Sequence, residues 1–251
     1  MNVRELLEHA DSFAPLSLAE EWDNPGLLVG SYAAEVRKIA VALDAVREAV
    51  IASADEGCNV LVCHHPLIFR PARRVTDDTE QGRTIIEAIR RNVNIIALHT
   101  NWDKAAGGVN DTLASLLGLK DTEPMDSFGV VGKLSVPMYR PAFAEHVKVS
   151  WGLSHLDLYG QPARISRVAL CGGAGAEFWR EAKSRGADIY LTADMKYHDI
   201  SDAVNEGLSV ALACHGEMER ASLPALAEKL SQCGTETVIV DVKALPLPLR
   251  I

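Results

Sequence analysis

The chain has 251 residues, 48% of them hydrophobic and 24% charged, with a formal net charge of -9. That is material for one large domain or two small lobes with real cores. It argues against a duplex nucleic-acid binder, which needs a basic surface to displace counterions. The densest basic cluster, Arg70 to Arg74, is short and suits only a local anion contact.

Val3, Leu6, Leu7, Ala10 and Phe13 recur at helical spacing and predict a helix over 3–14 that Pro15 stops. Its opening residues lack the basic and apolar parts of a signal peptide, and no apolar run is long enough to span a membrane, so the expected location is the cytoplasm. Asn24-Pro25-Gly26 is turn chemistry ahead of a short strand. Lys38 to Asp44 predicts a strand ending in an acid, Ala45 to Glu56 a helix, and the run from Asn59 a strand ending in His64 and His65. This is a βαβ unit, so the two strands are expected to be parallel. Pro66 can neither donate to a ladder nor extend a helix, so the chain turns there. The two imidazoles therefore stand at the carboxyl end of a strand, the edge at which open α/β sheets bind ligands.

Residues 70–80 read as a loop, 81–92 as a helix, and Val93 to Leu98 as a strand that runs into His99-Thr-Asn-Trp-Asp103. Val109 to Leu117 reads as a helix capped by Gly118. Residues 119–128 are polar, contain Pro124, and are the predicted boundary between lobes at 1–124 and 125–251, with exchange of the last elements between the lobes left open. The second half repeats the alternation. A strand over 129–136 and a helix near Val147 precede strand Arg167–Cys171 and the stretch Gly172-Gly-Ala-Gly175. Then come a helix over 176–185, strand Asp188–Thr192, the loop Asp194-Met-Lys-Tyr-His198, a helix to about 206 and strand Leu208–Cys214. One long helix from His215 to about Gln232 and a strand Thr237–Val242 close the chain. No sequence repeat or low-complexity tract interrupts it.

Several of these strand ends carry metal-ligand side chains: His64 and His65, then His99 and Asp103, then His215 and Glu219. The last two pairs have i,i+4 spacing, which puts both members on one helix face. Singly, each pair reads as a helix-surface contact or a satisfied strand-end histidine; three together favour a metal site. Mixed imidazole and carboxylate donors suit zinc, iron, manganese, cobalt or nickel over calcium. Five or six donors exceed one tetrahedral site and suit a pair of ions, whose residual positive charge favours an anionic small molecule. The five cysteines include no CxxC pair, which argues against a disulfide framework or a cysteine-rich zinc knuckle.

Two further features are open to two readings. Gly172, Gly173 and Gly175 either cradle an anion on backbone N–H groups or make a tight turn into a helix. Asp194, Lys196 and His198 supply either proton transfer and substrate contacts or a polar loop in which Asp194 caps a helix. Trp22-Asp23-Asn24 is either a structural turn with a buried indole or part of a site.

Glu21-Trp-Asp-Asn-Pro-Gly-Leu, Cys63-His-His-Pro-Leu-Ile-Phe, His99-Thr-Asn-Trp-Asp, Cys171-Gly-Gly-Ala-Gly, Thr192-Ala-Asp-Met-Lys-Tyr-His and His215-Gly-Glu-Met-Glu resemble the Nif-three-like (YbgI-type) dinuclear metal-centre family. Many members of that family are described as homologues of GTP cyclohydrolase I type 2. The resemblance implies two interlocked α/β lobes with mixed sheets, assembled as a toroidal homohexamer. It implies two divalent ions per chain, held by His64, His65, Asp103, His215 and Glu219, with His99 as a further candidate ligand. It also implies hydrolysis of a nucleotide or other phosphorylated small molecule, with His198 or His99 moving protons. The alternative is a non-catalytic metal-binding or interaction protein. No nucleic-acid or membrane partner is expected.

Overall fold

In a computed structural model, which describes residues 1–126, 128–240 and 242, the chain forms two compact units. The first is Met1–Ala105 together with the described residues from Leu223 onward; the second is Ala106–Ser222. The predicted boundary at residue 124 thus moves to Ala105, and the end of the chain belongs with its beginning.

The first unit opens with α1 (Val3–Phe13), started by a capping box in which Asn2 and Glu5 satisfy each other's backbone N–H groups. It continues with β1 (Gly26–Val29), β2 (Ile39–Asp44), α2 (Arg47–Asp55), β3 (Val60–His65), α3 (Glu80–Arg90), β4 (Asn94–Ala97) and the short α4 (Thr100–Lys104). The second unit holds α5 (Val109–Leu116), β5 (Lys120–Pro124), β6 (Val130–Met138), α6 (Arg140–Trp151), β7 (Leu156–Tyr159) and β8 (Ile165–Ala174). It ends with α7 (Trp179–Ser184), β9 (Ile189–Ala193), α8 (Tyr197–Asn205), β10 (Ser209–Ala213) and α9 (His215–Arg220). The chain then returns to the first unit with α10 (Leu223–Ser231) and β11 (Thr237–Ile239).

Both sheets are mixed. The first has the order β1-β4-β3-β2-β11, with β1 the antiparallel edge and the other four parallel. The second has the order β5-β6-β8-β9-β10-β7, parallel only through β8, β9 and β10. Central parallel strands read as continuous apolar runs because both faces are covered. Leu61, Ile95 and Ile96 are at most 1% exposed, each burial contributing about 1.5–3 kcal/mol of transfer free energy. The core of the second unit centres on Trp179 and Tyr190, both fully buried.

Four expectations need correction. The polar segment around Lys120–Pro124 is not a linker; it is an exposed edge strand, paired with β6. β7 was not anticipated, since Leu156–Tyr159 is too short to show a clear alternation. β8 runs on through Gly172 and Gly173 to Ala174, with a register irregularity against β9 between Leu170 and Ala174. The closing helix is two helices, broken at Ala221–Ser222 where the chain passes from one unit to the other. The predicted last strand included Asp241, which lies outside the described residues; the observed strand ends at Ile239.

These topologies decide where chemistry collects. In the first unit β2, β3 and β4 lie side by side and parallel, so Asp44, His65 and the residues after Ala97 share one sheet edge. In the second unit β8, β9 and β10 do the same for Gly173, Asp194 and His215.

Candidate metal centre

In the first unit, His64 and His65 end β3 and His99 follows β4 at the N-cap of α4. One ring nitrogen from each of the three lies within 4.8 Å of the others, and the ring centroids are 5.0–5.7 Å apart. Asp103 comes from the next turn of α4, with its Oδ1 3.6 Å from His64 Nε2. The helix is too short to be stable by itself and is fixed by its neighbours. Asn101 donates to Ala14 O at 2.8 Å and accepts from His99 N at 2.9 Å, and Trp102 is fully buried edge-on to Phe13.

Each imidazole of this cluster is held by its other nitrogen. His64 Nδ1 is 3.0 Å from Leu98 O, His65 Nδ1 is 2.7 Å from Asp44 Oδ1, and His99 Nδ1 is 2.7 Å from Asp23 Oδ1. An oxygen acceptor at Nδ1 takes the ring proton there and leaves Nε2 as a lone-pair donor, the form in which histidine binds metals. Burial pushes the Asp23 carboxyl up, but hydrogen bonds from His99 and Thr100 outweigh it and hold the group at about 2. Asp23 also accepts from Thr100 N at 3.0 Å, so one carboxylate orients both His99 and the first turn of α4.

The second unit carries a smaller cluster. His215 opens α9 with Nε2 3.1 Å from Glu219 Oε1, as the i,i+4 spacing predicts. Its Nδ1 is 2.5 Å from Asp194 Oδ2. Burial would lower the His215 pKa, but Glu219 and Asp194 together raise it to about 9. Gly173 has φ +67, and a Cβ on it would lie 2.3 Å from Glu219 Oε1 and 3.3 Å from His215 Nε2. Only glycine permits both that conformation and that approach.

Three imidazoles and a carboxylate in the first unit, and an imidazole and a carboxylate in the second, fit a first-row divalent ion better than calcium. Two donors on one ion are at most about 4.2 Å apart for bonds of about 2.1 Å. The three clustered histidines need only a small contraction to share one.

Of the predicted residues, the structure brings His64, His65, His99 and Asp103 together in one unit and His215 with Glu219 in the other. The anion-cradle reading of the glycines is corrected. Gly172 N donates to Asn110 Oδ1 at 2.8 Å and Gly175 N to Thr192 Oγ1 at 3.0 Å, so these groups anchor the end of β8. Asp194 does not cap α8, whose N-cap is Lys196; with φ +52 it bends back to His215. Lys196 and His198 are exposed, and among the described residues His198 meets Tyr197, edge-on at 5.3 Å. Trp22-Asp23-Asn24 belongs to the site through Asp23, and the buried indole expected of a structural turn is corrected, since Trp22 is 58% exposed; Asp44 has no role in the sequence reading. The signal for Asp44 was present: an acid ending the strand beside the one that ends in histidine.

A family model described as Duf34/NIF3 (NGG1p interacting factor 3) matches residues 1–246. A GTP cyclohydrolase 1 type 2 homolog of Clostridium perfringens is 34% identical over 241 residues, covering 92% of each chain. One of Lactococcus lactis is 35% identical over 238 residues, covering 92% of this chain and 91% of the relative. Among solved structures, a Bacillus cereus protein related to NIF3 superposes with a TM-score of 0.93 at 24% identity, over 100% of this chain and 99% of its own. With its motifs in order and a match along nearly its whole length, the chain belongs to the Duf34/NIF3 family.

Proposed function

We propose that this protein is a metal-dependent hydrolase of a nucleotide or other phosphorylated small molecule, using two divalent ions held by His64, His65, Asp103, His215 and Glu219. The observation that carries this reading is the shared posture of the histidines: His64, His65 and His215 each have Nδ1 beside an oxygen acceptor. It is the usual support of a metal-ligating histidine. The name of the Clostridium perfringens relative, a GTP cyclohydrolase 1 type 2 homolog, supports the substrate class.

Bound ions would supply Lewis acidity toward a phosphoryl or carbonyl oxygen and a water of lowered pKa. The chain's own residues position the rest. His99 stands in the first cluster with its tautomer fixed by Asp23, which suits its Nε2 to accept and return a proton. It has a stronger claim to that role than His198, which has no orienting partner among the described residues. The family description as an interacting factor favours a second reading, a non-catalytic metal-binding or interaction protein. The proposal includes a cytoplasmic homohexamer, which light scattering would report as six times 27.2 kDa. No helix among the described residues is long and apolar enough to cross a membrane.

Elemental analysis of protein purified without added metal is the test. Wild type should hold about two first-row ions per chain, the number a bridged hydrolytic centre uses, and Glu219→Ala should lose most of them. A wild type that is empty and refuses added zinc, manganese, iron, cobalt and nickel overturns the proposal. A loaded wild type that turns over nothing on a nucleotide panel selects the non-catalytic reading.

A further inference from the structure

Beside the histidine cluster of the first unit, two large rings are kept in water. Trp22 is 58% exposed and Phe69 44% exposed, with ring centroids 5.8 Å apart. Both also meet His99, each at 6.3 Å. Exposed aromatics on flexible loops would be unremarkable, but these are held from below. Asp23, next to Trp22, is bonded to His99 and Thr100, and Asn24 Nδ2 donates to Ile68 O at 2.6 Å. That last bond ties the Trp22 segment to the Phe69 segment. An apolar surface that the scaffold fixes in place and leaves uncovered marks a binding face.

The chain following Phe69 adds charge. Arg70, Arg73 and Arg74 are all exposed, and none has a hydrogen bond or ion pair among the described residues. In a protein of net charge -9, three of the other six described arginines of the first unit are committed to carboxylates, Arg47 to Glu87, Arg83 to Glu80 and Arg91 to Glu87 and Asp55. Three exposed guanidinium groups, all within five residues of Phe69 in the chain, form the complement of a ligand with a flat ring at one end and phosphates at the other.

We infer that Trp22 and Phe69 are a stacking platform for the base of a nucleotide whose phosphates are taken by Arg70, Arg73 and Arg74. The inference takes its ligand class from the hydrolase reading, but its test requires neither metal nor turnover. Trp22 is the one tryptophan of four that is exposed; Trp102 and Trp179 are 0% exposed and Trp151 3%. Quenching of its emission therefore reports directly on the platform.

Chelator-treated, desalted full-length protein would be titrated with GTP, ATP, guanosine, ribose 5-phosphate and tripolyphosphate, with isothermal calorimetry alongside. GTP and ATP should quench and bind, guanosine should quench with weaker affinity, and ribose 5-phosphate and tripolyphosphate should not quench. Trp22→Ala and Phe69→Ala should each weaken GTP by about tenfold, as loss of one stacking partner does, while Trp22→Phe should retain most of the affinity. Arg73→Gln with Arg74→Gln should weaken GTP, flatten its salt dependence and leave guanosine unchanged. The same variants should bind zinc like wild type, which separates failure here from failure of the metal centre. Unchanged GTP affinity in the Trp22→Ala, Phe69→Ala double variant overturns the inference. So does tripolyphosphate binding as tightly as GTP, or a wild type that binds none of the nucleotides.

Discussion

Each unit places an acid at the end of one parallel strand and a histidine at the end of the next, with a helix between them. Asp44 follows this plan with His65 across α2, and Asp194 with His215 across α8, and both pairs are separated by 21 residues. What differs is the company each pair keeps. His65 shares its cluster with His64, His99 and Asp103, and the other two imidazoles are held independently by Leu98 O and Asp23. His215 stands with Glu219 and Asp194, pressed against a glycine that leaves no spare room. The same local device is redundant in one unit and brittle in the other.

The largest expected effect lies at the brittle end. Gly173→Ala forces a side chain into a left-handed backbone and onto the Glu219 carboxylate, so Glu219 and His215 must move apart. It should cost more than about 1 kcal/mol in urea denaturation. It should also cut zinc affinity by about 100-fold or more, beyond what loss of an orienting carboxylate costs. Retention of wild-type zinc binding by this variant would remove Glu219 and His215 from the ligand set.

A paired substitution sharpens the contrast. Asp194→Asn and Asp44→Asn both weaken the hold on a histidine Nδ1, and such changes cost about 10–100-fold in metal affinity. Asp194→Asn should sit near the upper end and Asp44→Asn near the lower, because two other oriented imidazoles remain in the first cluster. Equal losses in competitive chelator titrations would mean that the first cluster has no redundancy.

The smallest effect is one of pH in metal-free protein. The folded-state pKa of His215 is raised to about 9 from its ordinary 6.5. The stability it contributes is therefore complete below about 6.5 and is lost as pH rises through about 9. The melting temperature of chelator-treated wild type should fall across that window, and that of His215→Gln should fall less. Identical pH profiles would show that Glu219 and Asp194 do not hold a proton on this ring.

The sequence made the strand ends readable because β2, β3, β4, β9 and β10 are buried parallel strands, and a buried parallel strand is an apolar run that stops abruptly at polar residues. His64, His65, His99 and His215 were visible for that reason. Which histidine each orienting acid holds was not, since Asp23 reaches His99 across 76 residues of chain and no local periodicity records such a contact. For Asp44 and Asp194 the clue was the recurrence of one spacing, which is a relation between two motifs and invisible in either alone. The glycine stretch misled because glycines before a helix suggest anion binding, whereas here Gly173 is required by what its missing Cβ would strike. The break between α9 and α10 does have a sequence signal, Ser222 ahead of Pro224 in the first turn of α10, inside the run read as one helix.

That break has a consequence for the order in which the protein can be made. Because α10 and β11 belong to the first unit, its sheet is completed by a strand that pairs with β2 only after the whole of the second unit has been synthesised. The second unit is one uninterrupted segment and can fold as it leaves the ribosome, while the first must wait with the β2 edge open. On the ribosome, the half that begins first is the half that finishes last.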